Sequence, residues 1–368
     1  MITFVMSEEH QYTIRTALEN GAARLPVIVL SHADFLSFER LPVADYVFVD
    51  LERLDPAAIA AAGRRLAELR RAAPGIEVLN APGPALERLA VMTALHRAGI
   101  NDFRVVPASR LPDDLRFPVF LRRLDNHDGP MTDLLADRAA LEAALAETAS
   151  PALPREMLAV TEYVDARDAL GRHQKFSYFR IGDRYFPSAR DLSASWICKG
   201  IVEDSQTIRE PEAELAFLSG TEHEALIRPA FEATGIGYGR ADYVVVDGRV
   251  QVFEINTNPY LDPPDFLPPE FRIYSEQLLG RWSRALAAFA HAGTGASPRW
   301  IPVAGAEPVA PTGSHGLRRA FRTGLAATGL LHREMTMMRL LRTPERLARR
   351  GRNRLRASFR PAPQAPGT

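Results

Sequence analysis

Four polar residues close to position 250 have the types and spacing of a site for a phosphate-bound cation. The segment reads Arg240-Ala241-Asp242-Tyr243-Val244-Val245-Val246-Asp247-Gly248-Arg249-Val250-Gln251-Val252-Phe253-Glu254-Ile255-Asn256. Two Val-rich runs flank an Asp-Gly pair, which is turn chemistry for a tight hairpin. Side chains alternate along a strand, so Arg240 and Asp242 share one face of the first strand, and Glu254 and Asn256 share one face of the second. Asp242 is then expected near Glu254. Two carboxylates repel one another unless a cation lies between them. Two carboxylates and a carboxamide are hard oxygen donors of the kind that suit Mg²⁺, which completes its shell with phosphate oxygens. The arginine would face the anion that the metal carries. Any one of these residues alone fits the solvent face of a hairpin. All four together, after Gly235-Ile236-Gly237-Tyr238-Gly239 and before Thr257-Asn258-Pro259, point to a site.

The elements that must position these residues follow from periodicity. Residues 2–6, 27–30, 46–50 and 77–79 read as strands, alternating with helices at 8–20, 56–71 and 86–98. Such alternation favours a parallel sheet covered on both faces. From Phe117 the texture changes. A strand at 117–122 precedes the polar loop Asp125-Asn126-His127-Asp128-Gly129, a helix spans 137–146, and 157–164 reads as a buried strand. A hairpin occupies 174–187, one helix covers 211–234, and the hairpin described above follows. Residues 256–272 are Pro-rich, 276–291 read as a helix, and 292–315 have the Gly, Ser and Pro content of a linker. The expected organisation is an α/β domain at 1–106, an α+β domain at 107–291 with a hinge about 161–168, the linker 292–315, and a basic tail, helical or disordered, at 316–368.

The 368 residues hold 45 basic and 45 acidic side chains, a neutrality that conceals a split. From Gly316 onward there are thirteen arginines against two acids, leaving 32 bases and 43 acids in residues 1–315. The tail suits its own acidic body, an anionic membrane surface or an acidic partner. No specific nucleic-acid motif is present. Of the bases, only Lys175 and Lys199 are lysine. A single cysteine, Cys198, excludes an internal disulfide framework, and no apolar run reaches the ~18 residues of a membrane span, so a cytoplasmic setting is expected. A Walker-type loop, a Cys-x-x-Cys pair, a His-Glu-x-x-His helix and a Gly-x-Ser-x-Gly elbow are all absent. Cys198 beside Trp196 reads as a packing residue.

The pattern Arg-x-Asp-Tyr, a Gly turn, then Glu-Ile-Asn-x-Asn-Pro resembles the metal-binding hairpin of the ATP-grasp superfamily. The resemblance implies that Asp242, Glu254 and Asn256 hold Mg²⁺ on the ATP phosphates and that Arg240 contacts the reacting phosphoryl group. It extends upstream. Phe117-Pro118-Val119-Phe120-Leu121-Arg122 is similar to the strand that ends in a phosphate-binding lysine, with Arg122 in the lysine's place. Thr161-Glu162-Tyr163-Val164-Asp165 is similar to the linker between the two grasp subdomains, which implies adenine contacts at Glu162, Tyr163 and Val164, and ribose contacts at Asp165 or Asp168. Lys199 falls where the family places a second phosphate or substrate contact, and Lys175 begins a strand directed back toward the hairpin. The covering Gly-rich loop matches poorly, since residues 125–132 contain one glycine. His127 in that loop reads as a solvated residue.

By this resemblance the expected activity is Mg-ATP-dependent ligation of a small-molecule or peptide carboxylate to an amine through an acyl phosphate, with Arg240 and Lys199 stabilising developing charge. Arg190, Trp196, Asn258 and Tyr260 flank the expected phosphates and are the candidate substrate contacts. The alternatives are a small-molecule kinase on the same fold, with a hydroxyl acceptor, and a non-catalytic ATP-binding or scaffold protein with a basic tail.

Overall fold

The computed structural model describes residues 1–21, 25–124, 129–199, 204–290 and 298–307. The first strands and helices in chain order are β1 (Ile2–Met6), α1 (Gln11–Asn20), β2 (Val27–Ser31), α2 (His32–Ser37), β3 (Arg40–Pro42), β4 (Asp45–Phe48), α3 (Pro56–Ala72), β5 (Val78–Leu79) and α4 (Arg88–Arg97). Strands β2, β1, β4 and β5 form a parallel sheet in that order. All five residues of β1 are buried, as a strand covered on both faces requires. Ile2, Phe4 and Met6 pack toward Trp282 and Phe289, whereas Val5 packs toward Phe35, Leu66 and Leu69. Helix α3 starts where Asp55 accepts from the Ala58 amide at 2.8 Å and Pro56 takes the first helical position.

Then follow β6 (Val105–Pro107), β7 (Val119–Arg123), α5 (Arg138–Thr148) and β8 (Leu158–Glu162), with β8 central in an antiparallel sheet of three. Leu141 and Leu145 of α5 cover it. The last part holds β9 (His173–Ile181), β10 (Arg184–Ser193), β11 (Thr207–Ile208), α6 (Pro211–Ser219), α7 (Glu224–Thr234), β12 (Tyr238–Val246), β13 (Arg249–Asn256), α8 (Arg272–Phe289) and β14 (Trp300–Pro302). A second antiparallel sheet runs β11-β10-β9-β12-β13. Its apolar face, with Phe176, Tyr178, Ala241 and Tyr243, packs on α4 and α7. No helix among the described residues is long and apolar enough to cross a membrane.

Two elements differ from the sequence reading. The single helix expected over 211–234 is two, because α6 closes at Gly220 and α7 starts at Glu224. Residues 298–307, within the stretch expected to be a linker, return to the body: β14 pairs with β3, Trp300 is buried, and the buried Arg65 guanidinium donates to the carbonyls of Val303 at 3.1 Å and Ala304 at 2.8 Å. Asn80, in the left-handed region at φ 55°, ties the parallel sheet to β12. Its amide donates to Phe48 O and Tyr238 O, and its oxygen accepts from Gly237 N at 2.9 Å. A Cβ at Gly237 would lie 2.8 Å from the Cδ2 of Leu79, so a larger residue there requires the leucine side chain to move. Residues 316–368, and with them the basic tail, lie outside the described residues, as does His127.

Candidate functional site

The hairpin does bring Asp242 opposite Glu254, but by a route that alternation alone does not provide. Next to the Asp247-Gly248 turn, Val246 pairs with Arg249 and Tyr243 with Val252. Continued without interruption, this register would set Asp242 against Phe253 and turn Glu254 to the other face. A bulge at Phe253 shifts it by one, so that Asp242 pairs with Glu254 and Arg240 with Asn256. All four then line one cavity of about 640 Å³.

Asp242 is buried and heavily coordinated. It accepts from Ser177 Oγ at 2.9 Å, directly across the β9–β12 pairing, and from Arg240 Nε at 3.0 Å, while Lys175 Nζ lies 3.7 Å away. Lys175 also pairs with Asp191 at 3.1 Å. Burial opposes the lysine's charge, but these two carboxylates outweigh it and hold its pKa above the ordinary value. Glu254 meets two arginines: it accepts from Arg122 at the end of β7, at 2.9 Å, and forms an ion pair with Arg88 at the start of α4, at 3.2 Å. Burial and the neighbouring Arg122 pull the Arg88 pKa down to about 10, against the attraction of Glu254. Sequence reasoning missed Arg88, since one arginine among 43 at the head of an amphipathic helix carries no signal of its own. Lys199 lines the same cavity and lies against Gly129, where a Cβ would meet its Cε at 3.4 Å.

The opposite wall is aromatic. Trp196 lies 5.2 Å from Phe120 and meets Tyr163 edge-on at 6.1 Å, and Tyr163 Oη is 3.2 Å from His173 Nε2. Glu162, Tyr163 and Val164 line this end, but the Glu162 carboxylate is spent internally. It accepts from the backbone amide and guanidinium of Arg104 at 2.7–2.9 Å and from those of Arg116 at 2.9–3.2 Å. Burial alone would raise its pKa; the arginines outweigh burial and hold it below the usual carboxylate range. The Glu162 amide donates to Arg104 O and the Tyr163 amide to Pro118 O, each at 3.0 Å.

Not all the expected contacts converge. Asp165 and Asp168 do not line the cavity and pair with Arg167 and Arg172 instead, each within 2.8 Å. Asn258 turns away to the N-terminal sheet, where it accepts from Thr13 Oγ1 at 2.6 Å and donates to Asp50 at 2.9 Å. Arg190 and Tyr260 line an adjoining, smaller cavity, whereas Trp196 stays in the main one. Cys198 also lines the main cavity, its thiol pushed up to about 12 by burial and by Asp191, far from a thiolate nucleophile at neutral pH.

Among the described residues no three His, Cys, Asp or Glu side chains converge as a metal site. The donor set here is smaller, two carboxylates and the Asn256 carboxamide, and it is surrounded by cations. That chemistry fits a hard divalent ion that draws its remaining ligands from phosphate and water.

No protein-family model and no curated protein matches the sequence. In structure the chain is similar to D-alanine–D-alanine ligase from Bacillus anthracis complexed with ATP, at 17% identity and TM-score 0.46 over 78% of this chain and 98% of that one. It is similar to a RimK domain ATP-grasp protein from Sphaerobacter thermophilus at 16% identity and TM-score 0.41, over 76% and 98% of the two chains. An L-amino acid ligase from Bacillus licheniformis aligns at 14% identity and TM-score 0.36, over 70% and 66%.

Proposed function

We propose that this chain is an ATP-grasp enzyme that joins a carboxylate to an amine with Mg-ATP. The observation that carries the reading is the convergence of Arg88, Arg122, Lys175, Lys199 and Arg240 around Asp242, Glu254 and Asn256, at one end of a cavity whose other end is walled by Phe120, Tyr163 and Trp196. A flat base would meet the aromatic end and a polyphosphate the cationic end. Asp242, Glu254 and Asn256 would hold Mg²⁺, which supplies charge neutralisation on the phosphates. Arg122, now paired with Glu254, lines the cavity and would meet phosphate oxygens bidentately, with Arg88 behind it on the same carboxylate.

A carboxylate does not react with an amine at neutral pH, because its oxygen is a poor leaving group. Phosphoryl transfer to the carboxylate gives an acyl phosphate, whose phosphate leaves readily. Arg240 and Lys199 would stabilise the charge that develops on the transferring group, and Lys175 would hold Asp242 in place. The reaction needs no covalent protein nucleophile, consistent with the half-buried Cys198, whose thiol is pushed up to about 12.

The reading is tested by the melting temperature of the full chain with and without Mg-ATP, followed by ADP release with pooled carboxylates and amines. The expected result is stabilisation by Mg-ATP that is lost in Asp242→Asn and Glu254→Gln. Absence of stabilisation in the natural chain, or its persistence in both variants, would overturn it. Phosphate left on a hydroxyl acceptor, in place of a new amide with free phosphate, would mark a kinase.

A further inference from the structure

Asn258 lines neither cavity and instead meets a buried acid of the first sheet. Strands β1 and β4 are neighbours whose onward connections run to opposite edges of that sheet, β1 to β2 and β4 to β5. In open α/β sheets the crevice at the carboxyl ends of such a pair is where ligands bind. Here Ser7 follows β1 and Asp50 lies just beyond β4, and the Ser7 amide donates to Asp50 Oδ2 at 3.3 Å. The chain's own Thr257 and Asn258 take the ligand's place. The Asp50 amide donates to Thr257 Oγ1 at 3.2 Å, and Asp50 Oδ2 accepts from Asn258 Nδ2 at 2.9 Å.

Asp50 is 2% exposed and lines neither cavity, so it has no direct part in holding a nucleotide. Its backbone is left-handed, at φ 59°, a conformation that a residue with a side chain keeps only where its surroundings fix it. His10 and Arg53 stand farther from its carboxylate, at 3.6 and 3.8 Å. An ionised carboxylate only accepts, so it turns the nitrogen of the Asn258 carboxamide toward itself. The carboxamide oxygen then faces Thr13 of α1, whose hydroxyl donates to it at 2.6 Å. With both ends of its side chain held, Asn258 donates its backbone amide to Asn256 Oδ1 at 2.8 Å. That bond uses one lone pair of the Asn256 oxygen and leaves the other for an ion. A line of contacts thus runs from Asp50 through Asn258 to the carboxamide that pairs across from Arg240.

We propose that Asp50 is a positioning residue for the metal: through Asn258 it sets the direction of the Asn256 carboxamide, and with it the affinity for Mg²⁺, while touching neither ion nor nucleotide. The inference rests on the reading of Asp242, Glu254 and Asn256 as the Mg²⁺ donors. Partners behind a metal ligand fix its orientation, and their loss costs about 10- to 100-fold in metal affinity. What the line requires at position 50 is an acceptor for the Asn258 amide nitrogen, not a charge.

The test follows the melting temperature of the full chain, saturated with the non-hydrolysable analogue adenylyl imidodiphosphate, as Mg²⁺ is titrated. Mn²⁺ binding to the same complex is read from loss of the free-ion signal in electron paramagnetic resonance. Asp50→Gly removes the acceptor and suits the left-handed backbone. It is expected to raise both midpoints about tenfold, and Asn258→Ala, which breaks the line from the other side, should do the same. Asp50→Asn keeps an oxygen for Asn258 and should stay within about twofold of the natural chain. Added to Asn256→Ala, whose midpoints are already raised, Asp50→Gly should have no further effect. A lower melting temperature without ligand, with unchanged midpoints, in both Asp50→Gly and Asn258→Ala would make Asp50 a fastener alone and overturn the proposal. So would midpoints that rise as far in Asp50→Asn as in Asp50→Gly, or that rise again when Asp50→Gly joins Asn256→Ala. If Mg²⁺ with the nucleotide does not stabilise the natural chain, or Asn256→Ala leaves the midpoints unchanged, the reading of the site fails, and the inference with it.

Discussion

The two ends of the main cavity each carry carboxylates, and they use them differently. At the hairpin end, Asp242 and Glu254 point inward and are met by cations that also face the cavity, so their charge remains available to a ligand. At the hinge end, Glu162 is fully committed to Arg104 and Arg116, and Asp165 and Asp168 to Arg167 and Arg172. The first group of acids forms a site and the second fastens a frame. The difference lies in the partners: Lys175, Arg122 and Arg240 line the cavity themselves, whereas Arg104 and Arg116 do not. A carboxylate paired with arginines outside the cavity can position a strand but is turned away from a ligand within it.

Substitutions should separate the two ends. At the hairpin, Asp242→Asn is expected to lower turnover by about 100-fold or more, measured as ADP release, because it removes a charge that acts on the transferring phosphoryl group. Arg122→Gln should raise the KM for ATP by about tenfold, since it deletes one charge-assisted phosphate contact. At the hinge, Glu162→Gln should leave kcat unchanged but reduce stability in urea by about 2 kcal/mol. That figure sits below the full cost of breaking a buried pair because Arg116 is largely exposed. The same residue has a pH signature. Its folded pKa is depressed, so its contribution is present above the usual 4.5 and is lost as pH falls through the lower folded value, which a melting-temperature series from pH 7 to pH 3 would follow. The smallest effect is expected from Asp165→Asn, with the KM for ATP within about twofold, because the carboxylate is exposed and faces Arg167. A large rise in that KM would erase the distinction between the ends.

Legibility in the sequence differed along the same line. The Asp-Gly turn and its Val-rich strands lie where turn chemistry and alternation put them, and β1, β2 and β4 follow from short apolar runs in the order that a parallel sheet requires. The β8 strand was legible, but the role of Glu162 within it was not. Its partners come from 58 and 46 residues away, and a chain with 43 arginines offers many candidates of equal standing. Residues 298–307 failed as a linker for a similar reason: a lone buried Trp300 and two carbonyls for Arg65 make a tertiary contact without any local pattern.

By itself, the sequence determined which donors are present, which strand faces they share, and that acidic and basic residues are divided between the body and the tail. Those properties depend on composition, turn residues and period-two alternation, all of which act over a few residues. The tertiary structure decided how they meet. The bulge at Phe253 reverses the parity that a two-residue turn imposes and so brings Asp242 and Glu254 to one face; packing of α4 delivers Arg88 to Glu254; and the close approach of Gly237 to Leu79 joins the first sheet to the hairpin. Each is a long-range contact whose free energy depends on what is packed on the other side, and no window of neighbouring residues contains that information.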